Sequence, residues 1–106
     1  MPRYMIRANY TVEGLQGLMK EGGTGRKKAI ETLASGLGGH LASLDFAFGD
    51  DDVYAICELP DDETAAAVSL RITASGAVSV KTTKLLSPEQ IDVAIDREIE
   101  YRMPGA

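Results

Sequence analysis

One stretch in the middle of the chain, residues 46–59, constrains the fold more than any other. It holds two apolar segments rich in Phe, Val, Ile and Tyr, separated by a Gly-Asp-Asp-Asp cluster. Short β-prone runs on either side of a Gly/Asp turn are typical of a β-hairpin. The pattern therefore predicts strands over residues 40–48 and 53–59, with Gly49 at a positive φ where the tight turn begins.

The segment before the hairpin predicts a strand followed by an interrupted helix. Apolar residues occupy every second position of residues 4–10, which is the period of a strand. Thr11 is a suitable N-cap for a helix that opens at the next residue. Gly22-Gly23 should interrupt this helix, because glycine is unfavourable in a helix interior. Thr24 is then expected to cap a second helical piece, which Gly38-Gly39 would end.

The segment after the hairpin predicts a helix, a strand and a last helix. Pro60-Asp61-Asp62 suits a helix start, since acidic side chains favour the N-cap and first turn, and Gly76 suits its end. Residues 77–86 predict the fourth strand. Ser87-Pro88-Glu89-Gln90 is a capping box with proline at the first helical position. It predicts a C-terminal helix over about residues 88–102, with a stripe formed by Ile91, Ile95 and Ile99.

The resulting order, βαββαβ plus a C-terminal helix, is that of an α+β ferredoxin-like fold with a four-stranded antiparallel sheet. No linker or low-complexity segment divides the chain, so residues 1–106 are expected to form one domain with its core in residues 3–86. Both crossover helices of such a fold lie on one face of the sheet. The other face must be solvated or covered by another surface.

Composition excludes several function classes. The net charge is −5, and an acidic chain lacks the clustered Lys and Arg of a nucleic-acid-binding surface. No apolar run approaches the ~20 residues of a membrane span, and no signal peptide is expected before the first strand. One cysteine, Cys57, excludes an intramolecular disulfide. These features predict a cytoplasmic protein that binds neither nucleic acid nor membranes.

Alternation along the strands predicts which side chains lie on the uncovered face. In strand three, every second residue is apolar, and this set should face the helices: Val53, Ala55, Cys57 and Leu59. Ile6 and Ala8 of strand one and Val78 and Val80 of strand four should face the helices as well. Strand two is harder to place. If Phe46 lies opposite Tyr54, then Leu44, Phe46 and Phe48 join the uncovered face, and Asp45 points to the helices unless a bulge or strand end exposes it.

A group of polar residues on this uncovered face is the best candidate site. They come from three neighbouring strands and lie among apolar side chains such as Met5 and Ile56. The candidate residues are Arg7, Asn9, Tyr54, Glu58 and Lys81. Convergent polar groups over apolar walls are typical of a small-molecule pocket, with Arg7 or Lys81 available to hold an anion. The alternative interpretation is that these are the ordinary polar residues of a protein–protein interface, with Glu58 forming an ion pair with Lys81 or Arg7.

Several short motifs, in order along the chain, resemble the GYD domain family. They are Met1-Pro2 with Tyr4, Tyr10-Thr11 with Glu13-Gly14, Phe48-Gly49 with Asp52-Val53, Pro60-Asp61, Ser75-Gly76 with Val78, and Thr83 with Leu86. The resemblance implies a dimeric α/β barrel, whose relatives include small-molecule monooxygenases, lactone isomerases and ligand-binding modules. One departure from the family matters. The family is named for a Gly, a Tyr and an Asp in this turn, and this chain has Asp51 where the tyrosine would stand.

Four other features have a chemical and a structural interpretation, and the structural one is favoured for each. His40 lacks a clear metal-ligand partner and is expected at an exposed strand end. Cys57 is expected to be a buried small hydrophobe. Residues 22–28, a Gly-rich run with three bases, could hold a phosphate or carboxylate, but a helix break with a solvated basic turn is favoured. Asp50-Asp51-Asp52 could attract a cation, although three acids in a turn usually serve the turn itself.

These observations predict a homo-oligomer built from dimers that pack their uncovered sheet faces together. The cleft between the sheets would bind a small, partly apolar organic molecule. The alternative is a cofactor-independent enzyme, monooxygenase- or isomerase-like, in which Tyr54 or Glu58 would move a proton. Neither interpretation requires a cofactor or a metal. Binding is slightly favoured over turnover, because the sequence lacks a convincing pair of nucleophile and base.

Overall fold

Local capping and turn signals determine most of the element boundaries in the computed structural model, which describes all 106 residues. The elements are β1 Arg3–Tyr10, α1 Val12–Glu21, α2 Gly23–Gly36, β2 His40–Phe46, β3 Val53–Glu58, α3 Asp62–Ala74, β4 Val78–Leu85 and α4 Pro88–Ile95. Together α1 and α2 form the first crossover, and α3 forms the second. The predicted order βαββαβ plus a C-terminal helix is confirmed.

The four strands form one antiparallel sheet in the order β2-β3-β1-β4, as expected for a ferredoxin-like fold. Strand β1 lies at the centre. Arg7 is opposite Tyr54 on β3 and opposite Lys81 on β4. One row across the sheet therefore carries three of the predicted site residues.

Helix ends follow the predicted caps with one exception. The Thr11 side chain accepts a hydrogen bond from the Gly14 amide, and Asp61 and Ser87 cap α3 and α4 in the same way. Gly22 separates α1 from α2 at a φ of 83°, a conformation that favours glycine. The predicted cap at Thr24 is wrong, because α2 already begins at Gly23 with Gly22 as its N-cap.

The core lies between the sheet and the helices, and three strands present the predicted faces to it. One buried cluster contains Tyr4, Cys57, Leu59 and Ala65, and a second contains Ala8, Val53 and Val78. The Tyr4 hydroxyl donates to Asp62 Oδ1 at 2.6 Å, which ties β1 to the first turn of α3. Burial, followed by this hydrogen bond and the charge of Asp62, raises the pKa of Tyr4 to about 12.

Strand β2 corrects the predicted orientation of three residues. The register shifts between Leu41 and Ser43, so that Ala42 is an extra residue at a β-bulge. Beyond the bulge Leu44 is opposite Ala55, and Phe46 is opposite Val53 and close to Gly23 of α2. Leu44 and Phe46 therefore lie on the helix side, and Asp45, opposite Tyr54, lies on the uncovered face. A one-residue offset in pairing is sufficient to exchange the two faces.

The turn between β2 and β3 also differs from the prediction. Gly49 does not have a positive φ, and no atom lies within 4 Å of the position that a Cβ would occupy there. Six residues connect the strands, so the connection is a loop rather than a two-residue turn that requires a positive φ. Phe48 is fully exposed at its tip and joins neither face of the sheet.

The C-terminal helix is shorter than predicted and projects from the rest of the fold. Helix α4 ends at Ile95, so Ile99 lies outside it, and none of its residues is buried. The radius of gyration is 17.0 Å, against about 13 Å for a compact chain of this length. Residues 87–106, called the C-terminal arm below, account for this extended shape. No helix of the chain is long and apolar enough to cross a bilayer.

Candidate functional site

Asp51 organises the polar residues of the uncovered face. Only 1% of this residue is exposed. Its Oδ1 accepts hydrogen bonds from Asn9 Nδ2 at 3.0 Å and Lys81 Nζ at 3.1 Å, and its Oδ2 lies 3.4 Å from Arg7 Nη1. We call Arg7, Asn9, Asp51 and Lys81 the Asp51 cluster. Three predicted site residues thus converge, and the carboxylate that they hold belongs to the chain itself.

Backbone contacts of the β2–β3 loop place Asp51 in this position. The amide of Asp52 donates to the carbonyl of Ala8 at 2.8 Å, and the amide of Tyr10 donates to Asp52 Oδ2 at 2.9 Å. The amide of Ala47 donates to the carbonyl of Asp52 at 2.9 Å and closes the loop. The loop is therefore bound to the end of β1. Asp51 and Asp52 both serve as acceptors within the fold, in agreement with the structural interpretation of the acidic triplet.

The electrostatics of the Asp51 cluster favour an ionised carboxylate. The hydrogen bond from Lys81 lowers the pKa of Asp51, and the charges of Lys81 and Arg7 and the amide of Asn9 add to this effect, while burial opposes it. Two cations face one carboxylate, so one positive charge is left over. The Nε of Arg7 is buried and has no hydrogen-bond partner.

Tyr54 borders the Asp51 cluster on the central row of the sheet. It is directly opposite Arg7, it is 37% exposed, and Asp45 is its neighbour on β2. Met5 and Ile56, an opposed pair in the next row, are half-buried and supply an apolar wall. The structure therefore brings together four of the five predicted site residues: Arg7, Asn9, Tyr54 and Lys81.

Glu58 does not join them. It lies four residues from Tyr54 along β3, about 13 Å at the rise of an extended strand. Its Oε2 is 2.6 Å from Nε2 of His40, which is exposed at the start of β2. Glu58 and Tyr54 are therefore too far apart to act on the same proton, and the single histidine is paired with the carboxylate opposite it.

The remaining candidates mostly follow the structural interpretation. Cys57 is buried, and this burial raises the pKa of its thiol. No group of three or more His, Cys, Asp or Glu side chains is arranged to hold a metal ion. In residues 22–28, Lys27 and Lys28 are exposed, but Arg26 is half-buried and turns towards the interior.

Sequence patterns do not reveal the role of Asp51 in the candidate site. Alternation assigns faces to strand residues, but Asp51 is in a loop, where no period applies. The only available signal was that Asp51 is a carboxylate where the family has a tyrosine. Asp51 is also close along the chain to strand three, which is predicted to neighbour strand one, and strand one carries Arg7 and Asn9.

The chain matches the model of the GYD domain family over residues 4–95. The matched region includes the four strands apart from Arg3, the first residue of β1, together with the Asp51 cluster and α4. No curated protein and no solved structure matches the chain.

Proposed function

The chain belongs to the GYD domain family, and from that premise we propose that it is a homodimer that binds a small, partly apolar organic molecule between its packed sheets. Membership of the family by itself assigns no activity, so the proposal rests on the exposed surfaces of the molecule. The observation that carries it is the uncovered sheet face, on which Met5, Tyr54 and Ile56 adjoin the Asp51 cluster.

Two unpartnered surfaces support self-association. Helices cover one face of the sheet only, and the apolar groups of the other face gain burial if a second copy packs there. The C-terminal arm is the second surface. Ile91, Val93 and Ile95 are 44%, 57% and 72% exposed, and an eight-residue helix is too short to be stable without tertiary packing.

The Asp51 cluster defines the kind of ligand that suits the cleft. Because Asp51 already neutralises one of the two cations, the site offers one surplus positive charge and the hydroxyl of Tyr54. A molecule with an apolar body and a neutral or weakly acidic hydrogen-bonding group satisfies these features, whereas a strong anion would compete with Asp51 for the same donors. Met5 and Ile56 would contact the apolar body.

Two measurements test the proposal. Sedimentation velocity at micromolar concentration should show a dimer, and Ile56→Lys, which places a charge on the uncovered face, should shift it towards monomer. Thr82→Lys is the matched control, since Thr82 is on the helix side of β4, where its hydroxyl lies close to that of Ser69. A wild-type protein that remains monomeric would exclude the dimer.

Native mass spectrometry of the purified protein should reveal a bound small molecule. Its affinity should fall with Tyr54→Phe and with Lys81→Met, because both variants remove groups of the site. Lys84→Met is the matched control, because Lys84 lies on the same strand but pairs with Asp62 on the helix side. If all three variants bind equally well, the ligand does not occupy this cleft.

A further inference from the structure

A second possible site lies on the opposite side of the sheet from the Asp51 cluster. Between the sheet and helices α2 and α3 the fold leaves a cavity of about 60 Å³, several times the ~10–15 Å³ that one water molecule needs. Seventeen residues line it and sixteen of them are hydrophobic. Cavities with such walls stay dry and accept apolar groups.

Small side chains explain why this space is empty. Ala8, Ala55 and Cys57 form its floor at the centre of the sheet, and Ala34 faces them from α2. All four are at least nine-tenths buried, so the cavity is shaped by the interior of the fold. Leu33 of α2 also lines the cavity but remains 40% exposed, so one wall is open to the outside.

The cavity borders an open groove of about 500 Å³ lined by both polar and apolar residues. Tyr10, Arg26, Leu33, Ile72 and Val78 line both spaces, so the cavity and the groove are continuous at these residues. A Cβ at Gly14 would clash with the carbonyl oxygen of Ala77, so α1 approaches this residue, immediately before β4, closely only because residue 14 is glycine.

Arg26 is the one charged residue that lines the cavity, and its guanidinium has no carboxylate partner. Burial raises the pKa of the Tyr10 hydroxyl, and the positive charge of Arg26 partly lowers it again. Glu13 and Glu21 line the outer groove, and neither of them forms an ion pair with Arg26. An unpaired cation at the mouth of an apolar cavity is suited to a ligand with one anionic end.

We infer that this cavity is a binding site for a small amphipathic monocarboxylate, with its alkyl chain between the sheet and α2 and its carboxylate on Arg26. The site is separate from the proposed cleft between sheets and needs no second copy of the chain. Its ligand class follows from the apolar walls, the limited volume and the one guanidinium that lines the cavity, that of Arg26.

Titration of ¹⁵N-labelled protein with hexanoate, followed by amide chemical shifts, tests the inference. Saturable shifts are expected at Ala8, Ala55 and Ile30, which line the cavity. Arg26→Met should weaken hexanoate binding about tenfold, the usual size for one charge-assisted hydrogen bond. It should leave the binding of 1-hexanol unchanged, and Arg26→Lys should retain part of the hexanoate affinity.

Lys27→Met is the matched control, because it removes the same charge from an exposed neighbour and should not change hexanoate affinity. If Arg26→Met and Lys27→Met weaken hexanoate binding equally, Arg26 acts only through general charge attraction, and the inference is overturned. The absence of saturable shifts in the wild-type protein would also overturn the inference, and this measurement does not depend on the folding of any variant. Shifts confined to Tyr54 and Ile56 would place hexanoate in the cleft between sheets and would likewise overturn the cavity site.

Discussion

At the scale of single residues, Asp51 has the greatest effect on the chemistry of the uncovered face. It converts a pair of cations that could bind an external anion into an internal ion-paired group. A buried carboxylate with three donors is also a structural contact, since its removal leaves Arg7 and Lys81 close together without an acceptor. Its effect on stability should therefore exceed that of any other aspartate in the loop.

Asp51→Ala should lower the melting temperature by several degrees, because two cations and the Asn9 amide lose their shared acceptor. Asp50→Ala provides the control, since it removes the same charge from an exposed adjacent residue that makes no side-chain hydrogen bond. Thermal melts at neutral pH compare the two variants. Equal melting temperatures would show that the Asp51 cluster does not contribute to stability.

The same carboxylate predicts a dependence on pH. Lys81 and Arg7 hold the pKa of Asp51 below its ordinary value of 3.8, so the unfolded chain binds this proton more readily than the folded protein. Asp51 therefore stabilises the fold above about pH 4, and this effect is lost as the pH falls through its folded pKa. The stability difference between wild type and Asp51→Asn should be constant between about pH 5 and 8 and should shrink below pH 4. Urea melts across this range measure it, and a constant difference down to pH 2 would contradict the assignment.

At the scale of elements, close backbone approaches determine how α1 sits on the sheet. The amide of Thr11 donates to the carbonyl of Ala77 at 3.0 Å, and Gly14 faces the same carbonyl oxygen one turn later. The two glycines of α1 therefore have different roles. Gly14 is buried against Ala77, immediately before β4, whereas Gly17 has no atom within 4 Å of its Cβ position.

Gly14→Ala should destabilise the protein by about 1–3 kcal/mol, because the new methyl group would displace α1 from β4. Gly17→Ala in the same helix should instead stabilise it by about 0.5–1 kcal/mol, since alanine is the better helix former and open space surrounds it. Denaturant unfolding of both variants gives the comparison. The packing of α1 on β4 would need revision if both substitutions had the same sign.

At the scale of the whole molecule, the C-terminal arm is the feature that the rest of the fold leaves without a partner. The molecule measures 57 Å along its longest axis, and the arm carries exposed isoleucines on a well-capped helix. Residues 87–106 contain five acidic and two basic side chains, so charge repulsion favours extension while the apolar stripe favours association. In the proposed dimer, a second copy of the chain would provide an apolar surface for that stripe.

Ile91→Glu combined with Ile95→Glu should weaken self-association while leaving the melting of the monomeric fold unchanged, because these side chains contribute nothing to its core. Glu89→Gln, in the first turn of the same helix, is the control and should have no effect on either property. Sedimentation equilibrium and thermal melts at low concentration separate the two effects. If the double variant lowers the melting temperature of the monomer, the arm packs on its own fold.

The sequence by itself determined the features that depend on neighbours along the chain. The N-caps at Thr11 and Asp61, the capping box at Ser87 and the break at Gly22 all arise from contacts within a few residues, and each is in place. The inner faces of β1, β3 and β4 follow from a period of two, which holds wherever a strand is regular. Together with the element order, these features were sufficient to predict a ferredoxin-like sheet with one uncovered face.

Only the tertiary structure decided the features that depend on how distant segments meet. The bulge at Ala42 sets the orientation of Leu44, Asp45 and Phe46, and a shift of one residue in pairing cannot be read from composition. Asp51 reaches Lys81, thirty residues away, because the loop is held by backbone hydrogen bonds to β1. The pairing of Glu58 with His40 and the position of Arg26 at the mouth of the cavity have the same origin. Each depends on the path of one segment relative to another, and sequence periodicity describes only the segment in which it occurs.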